Sequence, residues 1–393
     1  MQDDLVCTLL MMKDIPVLSF NFNTAVFDVL DELHLPYQLK GLLREMPHVS
    51  DGMTKYEFNQ LFICGNKNKD AIIDWLAGRV LPLSRENAKK VYNLFGFAQL
   101  QSQINKARIA IVCRALSLQD NYWIKLEGDS VKWDDVDLRK VHLNEAVAQV
   151  SLRGSSFSIQ NKREEAVRCP ELTGQGAYAK AWFREDDGLY LHKLGHQGVT
   201  ESKIEVMVSN LLDNCNVKHL HYEGSRLHDI YTCKCKCMTT ETISILSGMD
   251  FECYCNRNGK SGLQEAIKLD PEMMYKMMIV DYLIANPDRH GMNWGFFYNC
   301  DTMEILGCHP LYDHNNSFDN SYMRDPDVRY LLDDSKSMRD WAKYAMAKVD
   351  FHFYREPVRE DFHTDRQFKC FTRRAKELGV QVHPGVAEES HTF

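Results

Sequence analysis

A chain of 393 residues, 44% hydrophobic and 26% charged, has the composition of a globular protein and the length of two or three domains. Its net charge of −8 and the lack of any strongly basic tract argue against nucleic acid as a direct partner. No apolar run approaches membrane-spanning length and the start, Met1-Gln2-Asp3-Asp4, is acidic where a signal peptide is basic, so no membrane partner and a cytoplasmic location are expected.

Residues 1 to about 115 read as a mixed, mainly helical region. Val26, Phe27, Val29, Leu30 and Leu33 recur at helical intervals within Thr24 to Leu43. Further helices are expected over Asp70 to Val80 and from Ser84, as N-cap, through Val91, Leu94 and Phe97. Ala107 to Cys113 reads as a short strand. No catalytic constellation occurs here, so a structural or regulatory role is expected. Residues 116–165, rich in charged and aromatic turns, read as a connecting subdomain.

From Pro170 the pattern changes. Gly174 and Gly176 punctuate a loop that leads into a strand, a charged turn at Glu185 to Gly188, and a second strand over Leu189 to Leu194. The two glycines suit either close approach of backbone N–H groups to a phosphate or an ordinary hairpin turn. Lys193 lies in the otherwise apolar second strand and needs a partner. The next segment, Thr200 to Leu212, is a helix whose Glu205 borders the apolar stripe of Ile204, Val208, Leu211 and Leu212; Glu201 is the second choice. A strand lysine paired with a helix glutamate is how kinases hold the α- and β-phosphates of ATP.

Val217 to Glu223 and Ile230 to Met238 read as further strands. Thirteen cysteines are scattered along the chain. Cys233, Cys235 and Cys237 alternate as on one strand face, and Cys253 and Cys255 share that spacing. Structural zinc ordinarily uses C-x-x-C, which is missing, so half-buried strand thiols are expected in place of zinc.

Asp270-Pro271 then opens a helix, with Asp as N-cap and Pro in the first turn, and Pro287 lies past its end. The segment Asn286-Pro287-Asp288-Arg289-His290-Gly291-Met292-Asn293 follows on a loop. Trp294 to Tyr298 and Glu304 to Leu311 form a hairpin around Asn299-Cys300-Asp301, which would return Asp313 towards Asn293. Asp288 and Asn293 have the D-x-x-x-x-N spacing of a kinase catalytic loop, and Asp313 supplies the second carboxylate that Mg²⁺ needs. Alone, that spacing also fits an ordinary turn; the ordered set of glycine loop, strand lysine, helix glutamate, catalytic loop and metal carboxylate argues for phosphoryl transfer. Ser321 to Asp333 has the composition of an activation-type segment. Ser335 to Lys348 and Asp361 to Leu378 read as helices, and Pro384 to Phe393 as a frayed tail.

The blocks Leu189-Tyr190-Leu191-His192-Lys193, Glu205-Val206-Met207-Val208-Ser209, Asn286 to Gly295 and Tyr312-Asp313-His314-Asn315-Asn316-Ser317-Phe318 resemble the HipA-like kinases, a bacterial branch of the protein-kinase-like fold. The resemblance implies an α+β, two-lobed fold: a small antiparallel-sheet lobe over 166–245 and a helical large lobe over 246–393. It implies ATP and Mg²⁺, with transfer of the γ-phosphoryl group to a Ser or Thr of a protein substrate. Asp288 becomes the base or orienting group, Asn293 and Asp313 the Mg²⁺ ligands and Lys193 the phosphate anchor, with His290 and Asn316 in support. Because the family includes toxins of toxin–antitoxin pairs, an antitoxin-like regulatory partner is implied as well. Asp288-Arg289-His290-x-x-Asn293 is also similar to the catalytic loop of phosphoinositide kinases, so a lipid or small-molecule kinase is the alternative enzyme. A nucleotide-binding pseudokinase scaffold is the non-enzymatic one.

Overall fold

The computed structural model describes residues 8–21, 26–44, 54–97, 102–195, 200–227 and 229–383, and these form a mixed α+β chain with several antiparallel sheets and 12 α-helices among the described residues. None of the described helices is long and apolar enough to cross a membrane. The chain divides into two compact units.

The first unit takes in residues 1–189 with 239–244 and 299–304. Strands β1 (Thr8–Met12), β2 (Ile15–Asn21), β3 (Val26–Val29) and β4 (Tyr122–Leu126) build a sheet of order β3-β2-β1-β4. Leu10, Met12, Val17, Leu18 and Ile124 fill its buried side. Helices α1 (Lys55–Ala77), α2 (Ala88–Phe95), α3 (Gln103–Val112), α4 (Glu145–Arg153) and α5 (Lys162–Ala166) accompany it, followed by strand β5 (Lys180–Glu185).

Two expectations are corrected here. The stretch read as a helix over Thr24 to Leu43 contains β3, paired antiparallel to β2 with Leu18 opposite Val29, and turns beyond it; Thr24 lies outside the described residues. Sheet pairing satisfies the backbone, and Leu30 and Leu33, assigned to the helix's apolar face, are exposed. The N-terminal region is accordingly a sheet plus helices. Ala107 to Cys113, read as a strand, lies in α3 and its C-cap; the Ser102 side chain accepts the Asn105 N–H and starts the helix. A short apolar run fits either structure, and its cap decides. The expected second helix is the C-terminal part of α1, and the third is α2, which starts after Asn87, a residue that makes no side-chain capping hydrogen bond, and not from Ser84.

Gly174 and Gly176 lie in the loop before β5. Buried Arg85 donates to the carbonyls of Gly176, at 2.9 Å, and of Gln175. Gly176 has φ +97°, a conformation that L side chains rarely adopt. Next to this loop Glu171 is fully buried and accepts the Trp182 N–H at 2.9 Å. Burial pushes its carboxyl up to about 7, against that hydrogen bond and the Arg85 charge.

The second unit takes in 190–238, 245–298 and 305–393. Strand β6 (Gly188–Lys193) enters it at Tyr190; helix α6 (Thr200–Leu212) follows, then β7 (Glu223–Leu227) and β8 (Ile230–Lys236). β8 pairs antiparallel with both β6 and β7, placing Cys233 opposite Lys193. The expected strand over Val217 to Glu223 is absent; this segment is irregular and touches the sheet hydrogen-bond network through a single bridge, His219 to Leu311, with β7 beginning only at Glu223. Cys233 and Cys235 are buried on β8 as expected, whereas Cys253 and Cys255 lie on a helix.

After β9 (Ile243–Ser247) come α7 (Gly248–Arg257), α8 (Gly262–Leu269) and α9 (Pro271–Leu283), then β10 (Gly295–Asn299) and β11 (Ile305–Cys308). The unit closes with α10 (Asn320–Arg324), α11 (Met338–Met346), β12 (His352–Phe353), α12 (Asp365–Leu378) and β13 (Gln381–Val382). The Asp270 side chain caps α9 by accepting the Met273 N–H, as the sequence predicts. α9 is buried on almost every side, not on one face alone, because α8, α11 and α12 pack around it. The hairpin β10–β11 forms with Phe296 opposite Cys308. Gly295 is required there, since a Cβ would run into the Leu246 carbonyl oxygen. α11 and α12 confirm the two late helices, and the tail from Pro384 lies outside the described residues.

The buried acid Glu171 yields a pH signature. Its proton is held longer in the folded chain than in the unfolded one, so its contribution makes stability fall as pH rises from about 4.5 to about 7. Glu171→Gln keeps the oxygen that accepts from Trp182 and should remove that segment of the pH–stability profile in urea titrations. An unchanged profile would show that Glu171 does not titrate in this window.

Candidate active site

The cluster is assembled from four segments of the second unit. β6 ends at Lys193, α6 carries Glu205, the loop after α9 carries Asp288 to Asn293, and the segment after β11 carries Asp313 to Ser317. Lys193 Nζ lies 2.9 Å from Asp313 Oδ1, 2.9 Å from the Tyr222 hydroxyl oxygen and 3.5 Å from Glu205 Oε2. Glu205, fully buried, also accepts the His314 N–H at 2.8 Å through Oε1. The strand lysine thus meets both the helix glutamate and the metal-type aspartate, and the choice of Glu205 over Glu201 is the one that the geometry supports.

Charge accounts for the pairing. Burial would lower the Lys193 pKa, but the Asp313 and Glu205 carboxylates overrule it and hold the ammonium well above its usual value. Burial lifts Glu205, and the neighbouring Asp313 charge adds to that, while Lys193 opposes it. One ammonium faces two acidic side chains. Asp313, with a side chain 27% exposed, is the solvent-facing one of the two. Its φ of +61° is left-handed, a conformation that Asp tolerates better than most residues and that is concentrated at functional sites.

The catalytic-type loop is held from below by a buried arginine. Arg289 has no exposed surface, and all of its donor groups are engaged. Nε and Nη2 form a fork on Asp281, at 3.0 Å to Oδ2 and 2.9 Å to Oδ1. Nη2 also lies 3.3 Å from His314 Nδ1, and Nη1 donates to the carbonyls of Asn293 and, at 3.1 Å, of Tyr312. Asp281 further accepts from Asn286 Nδ2 at 2.9 Å and from the Tyr330 hydroxyl. Burial and the Arg289 charge hold His314 well below its usual pKa, so it is neutral and can accept at Nδ1. A single guanidinium therefore fixes the backbone at Asn293 and immediately before Asp313, which the chain separates by the whole hairpin.

On the loop itself, Asn286 Oδ1 accepts the Asp288 N–H at 3.0 Å, and the Asn293 side chain donates to the Asp288 carbonyl at 2.8 Å. That donation uses the amide nitrogen of Asn293 and leaves Oδ1 as a ligand atom. Asp288 Oδ2 accepts from Asn316 Nδ2 at 2.9 Å, and its side chain is 35% exposed. His290 Nε2 is 3.8 Å from Asp288 Oδ1, while its Nδ1 accepts the Met292 N–H. Asp288, His290 and Asn293 thus share one loop, with Asn316 reaching Asp288 from the Asp313 segment. Gly174 and Gly176 belong to the first unit and are described there.

Sequence reasoning passed over Asp281, Arg289, Tyr222 and Tyr330. Asp281 carried a signal, a carboxylate inside Ile279-Val280-Asp281-Tyr282-Leu283, which in a buried helix demands a partner. Tyr330 falls in the polar stretch read as an activation-type segment and carried none.

No protein-family model matches the chain, and no curated protein sequence does. Among solved structures, the chain is similar to the Helicobacter pylori proinflammatory kinase CtkA, with a TM-score of 0.39 and 15% identity over 51% of this chain and 89% of that one. It is also similar to HipA of the Shewanella oneidensis MR-1 toxin–antitoxin system, solved with HipB and operator DNA, with a TM-score of 0.47 and 12% identity over 95% and 98% of the two chains.

Arg289→Met leaves Asp281 buried without its counter-charge and should cost about 3–5 kcal/mol of stability, read as a fall in the urea midpoint. Replacing both partners, Asp281→Leu with Arg289→Met, should recover a large part of that loss. A single substitution costing less than about 1 kcal/mol would contradict the pairing.

Proposed function

We propose that the chain is an ATP- and Mg²⁺-dependent kinase that transfers the γ-phosphoryl group to a Ser or Thr of a protein substrate. The observation that carries this reading is Lys193 joined to both Glu205 and Asp313, from three separated segments, with Asn293 tied to the same Asp313 segment through Arg289.

Each residue has a task in that reaction. Lys193 directs its ammonium at the α- and β-phosphates, and Glu205 and Tyr222 keep it in place. Asp313 and Asn293 Oδ1 would hold Mg²⁺, an oxygen donor set that suits a hard cation. An ion held there would supply positive charge to offset what develops on the phosphates during transfer. Asp288, oriented by Asn316, positions the acceptor hydroxyl and takes its proton as the new O–P bond forms and ADP leaves. His290 lies beside Asp288 and tunes its orientation.

The protein acceptor and an antitoxin-like regulatory partner follow from the motif blocks around Lys193, Asp288 and Asp313. Neither a membrane nor nucleic acid is assigned as a partner, and the cytoplasm is the proposed location.

With γ-labelled ATP and Mg²⁺, label should appear on Ser or Thr of the chain itself or of a lysate protein. Asp288→Asn should lower the rate about 10²–10⁴-fold, and Asp313→Asn should bring it to background. Both variants should keep the parent circular dichroism spectrum. Label on lipid would favour the phosphoinositide-type alternative, label nowhere the scaffold, and full activity in either variant would refute its assigned role.

A further inference from the structure

A second cluster of metal-ligating side chains lies in the same unit, apart from the phosphoryl-transfer residues. Asp213, just beyond α6, meets two histidines of the irregular segment that follows. His219 Nε2 lies 3.0 Å from Asp213 Oδ1, His221 Nδ1 lies 3.5 Å from the same oxygen, and each of the three residues offers one ligand atom within 4.8 Å of the others. In a tetrahedral site, nitrogen and oxygen ligands at roughly 2.0–2.2 Å from zinc stand about 3.3–3.6 Å apart. The two separations from Asp213 Oδ1 therefore need to change by only a few tenths of an ångström, and the two imidazole nitrogens lie within 4.8 Å of each other.

Hydrogen bonding points the same way. His219 is buried, and its other ring nitrogen, Nδ1, lies 3.3 Å from the Val217 carbonyl oxygen. Such a contact fixes the Nδ1–H tautomer in metal-ligating histidines and turns the Nε2 lone pair towards the ion. In that tautomer Nε2 and the Asp213 carboxylate are both acceptors facing each other, an arrangement that a cation between them resolves. His221 Nδ1 is shielded from solvent and faces the same Asp213 oxygen at 3.5 Å, too long for a well-formed hydrogen bond. The side chains of Asp213 and His221 are 36% and 43% exposed, so the fourth position opens to water.

We propose that Asp213, His219 and His221 form a binding site for one divalent transition-metal ion of the zinc class, completed by water. The donor set, two imidazoles and one carboxylate, is that of borderline ions and not the all-oxygen set that favours Mg²⁺. Its role is to fix the Val217 to Tyr222 segment, which has no strand pairing beyond the His219 bridge. Leu220 N–H in that segment donates to the Leu311 carbonyl at 2.8 Å, two residues before Asp313, and Tyr222 holds Lys193. The ion would thus brace, without touching, the residues around Lys193.

The test uses the full chain stripped with a chelator and then dialysed against Zn²⁺ or Co²⁺. Elemental analysis should find about one equivalent of Zn²⁺ per chain, and Co²⁺ should give the visible absorption of a four-coordinate site. Zn²⁺ should raise the melting temperature. His221→Ala, at a half-exposed position that the fold tolerates, and Asp213→Asn should each lose the absorption and the thermal shift while keeping the parent circular dichroism spectrum. Absence of bound metal in the parent chain, or equal binding and an equal thermal shift in His221→Ala, would overturn the proposal. None of these readouts depends on kinase activity, so the site and the phosphotransferase reading fail separately.

Discussion

The fork of Arg289 on Asp281 is the contact on which the rest of the second unit's chemistry rests. Both side chains are wholly buried, and an arginine there is tolerable only because Asp281, two backbone carbonyls and His314 satisfy its donors together. The same carboxylate receives Asn286 and Tyr330, so the end of α9, the loop after it and the segment after α10 meet at one buried anion. This arrangement turns a distance of twenty residues along the chain, from Asn293 to Asp313, into shared attachment to a single guanidinium.

Above that support, Lys193 is buried between acidic side chains from two other segments. Structural ion pairs balance; here two carboxylates share one ammonium, and the more exposed carboxylate stands in a left-handed backbone conformation. Both features are costly in a fold that has no use for them. In the proposed function, a cation at Asp313 and phosphates at Lys193 would replace the direct pairing of these two side chains.

The elements nearest the site were the most legible in the sequence, for reasons that can be given residue by residue. Asp270-Pro271 states the start of α9 by chemistry alone, and α6 runs over the predicted Thr200–Leu212 because its apolar stripe has few competing readings. The Lys193 and Glu205 pairing was legible because a lysine in an apolar strand requires a counter-charge. Arg289 was hidden by the motif that contains it: between Asp288 and His290 nothing local marks it for burial, and only tertiary structure buries it. Val26 to Val29 and Ala107 to Cys113 were misread in opposite directions, since short, mostly apolar runs satisfy either periodicity until a pairing strand or a capping serine selects one. His219 and His221 would share a face of the expected strand over Val217 to Glu223, but nothing local in the sequence joins them to Asp213, which only the turn after α6 brings to them.

The central claim is that Asp313 and Asn293 bind a cation that the nucleotide on Lys193 needs. Calorimetric titration of the full chain with a non-hydrolysable ATP analogue, with and without Mg²⁺, measures this directly. The account predicts binding that weakens by about tenfold or more when Mg²⁺ is withheld, about 1.4 kcal/mol, and an Asp313→Asn chain whose affinity is the same in both conditions. Absence of nucleotide binding in the parent chain, or an Asp313→Asn chain with the full Mg²⁺ dependence, would contradict it.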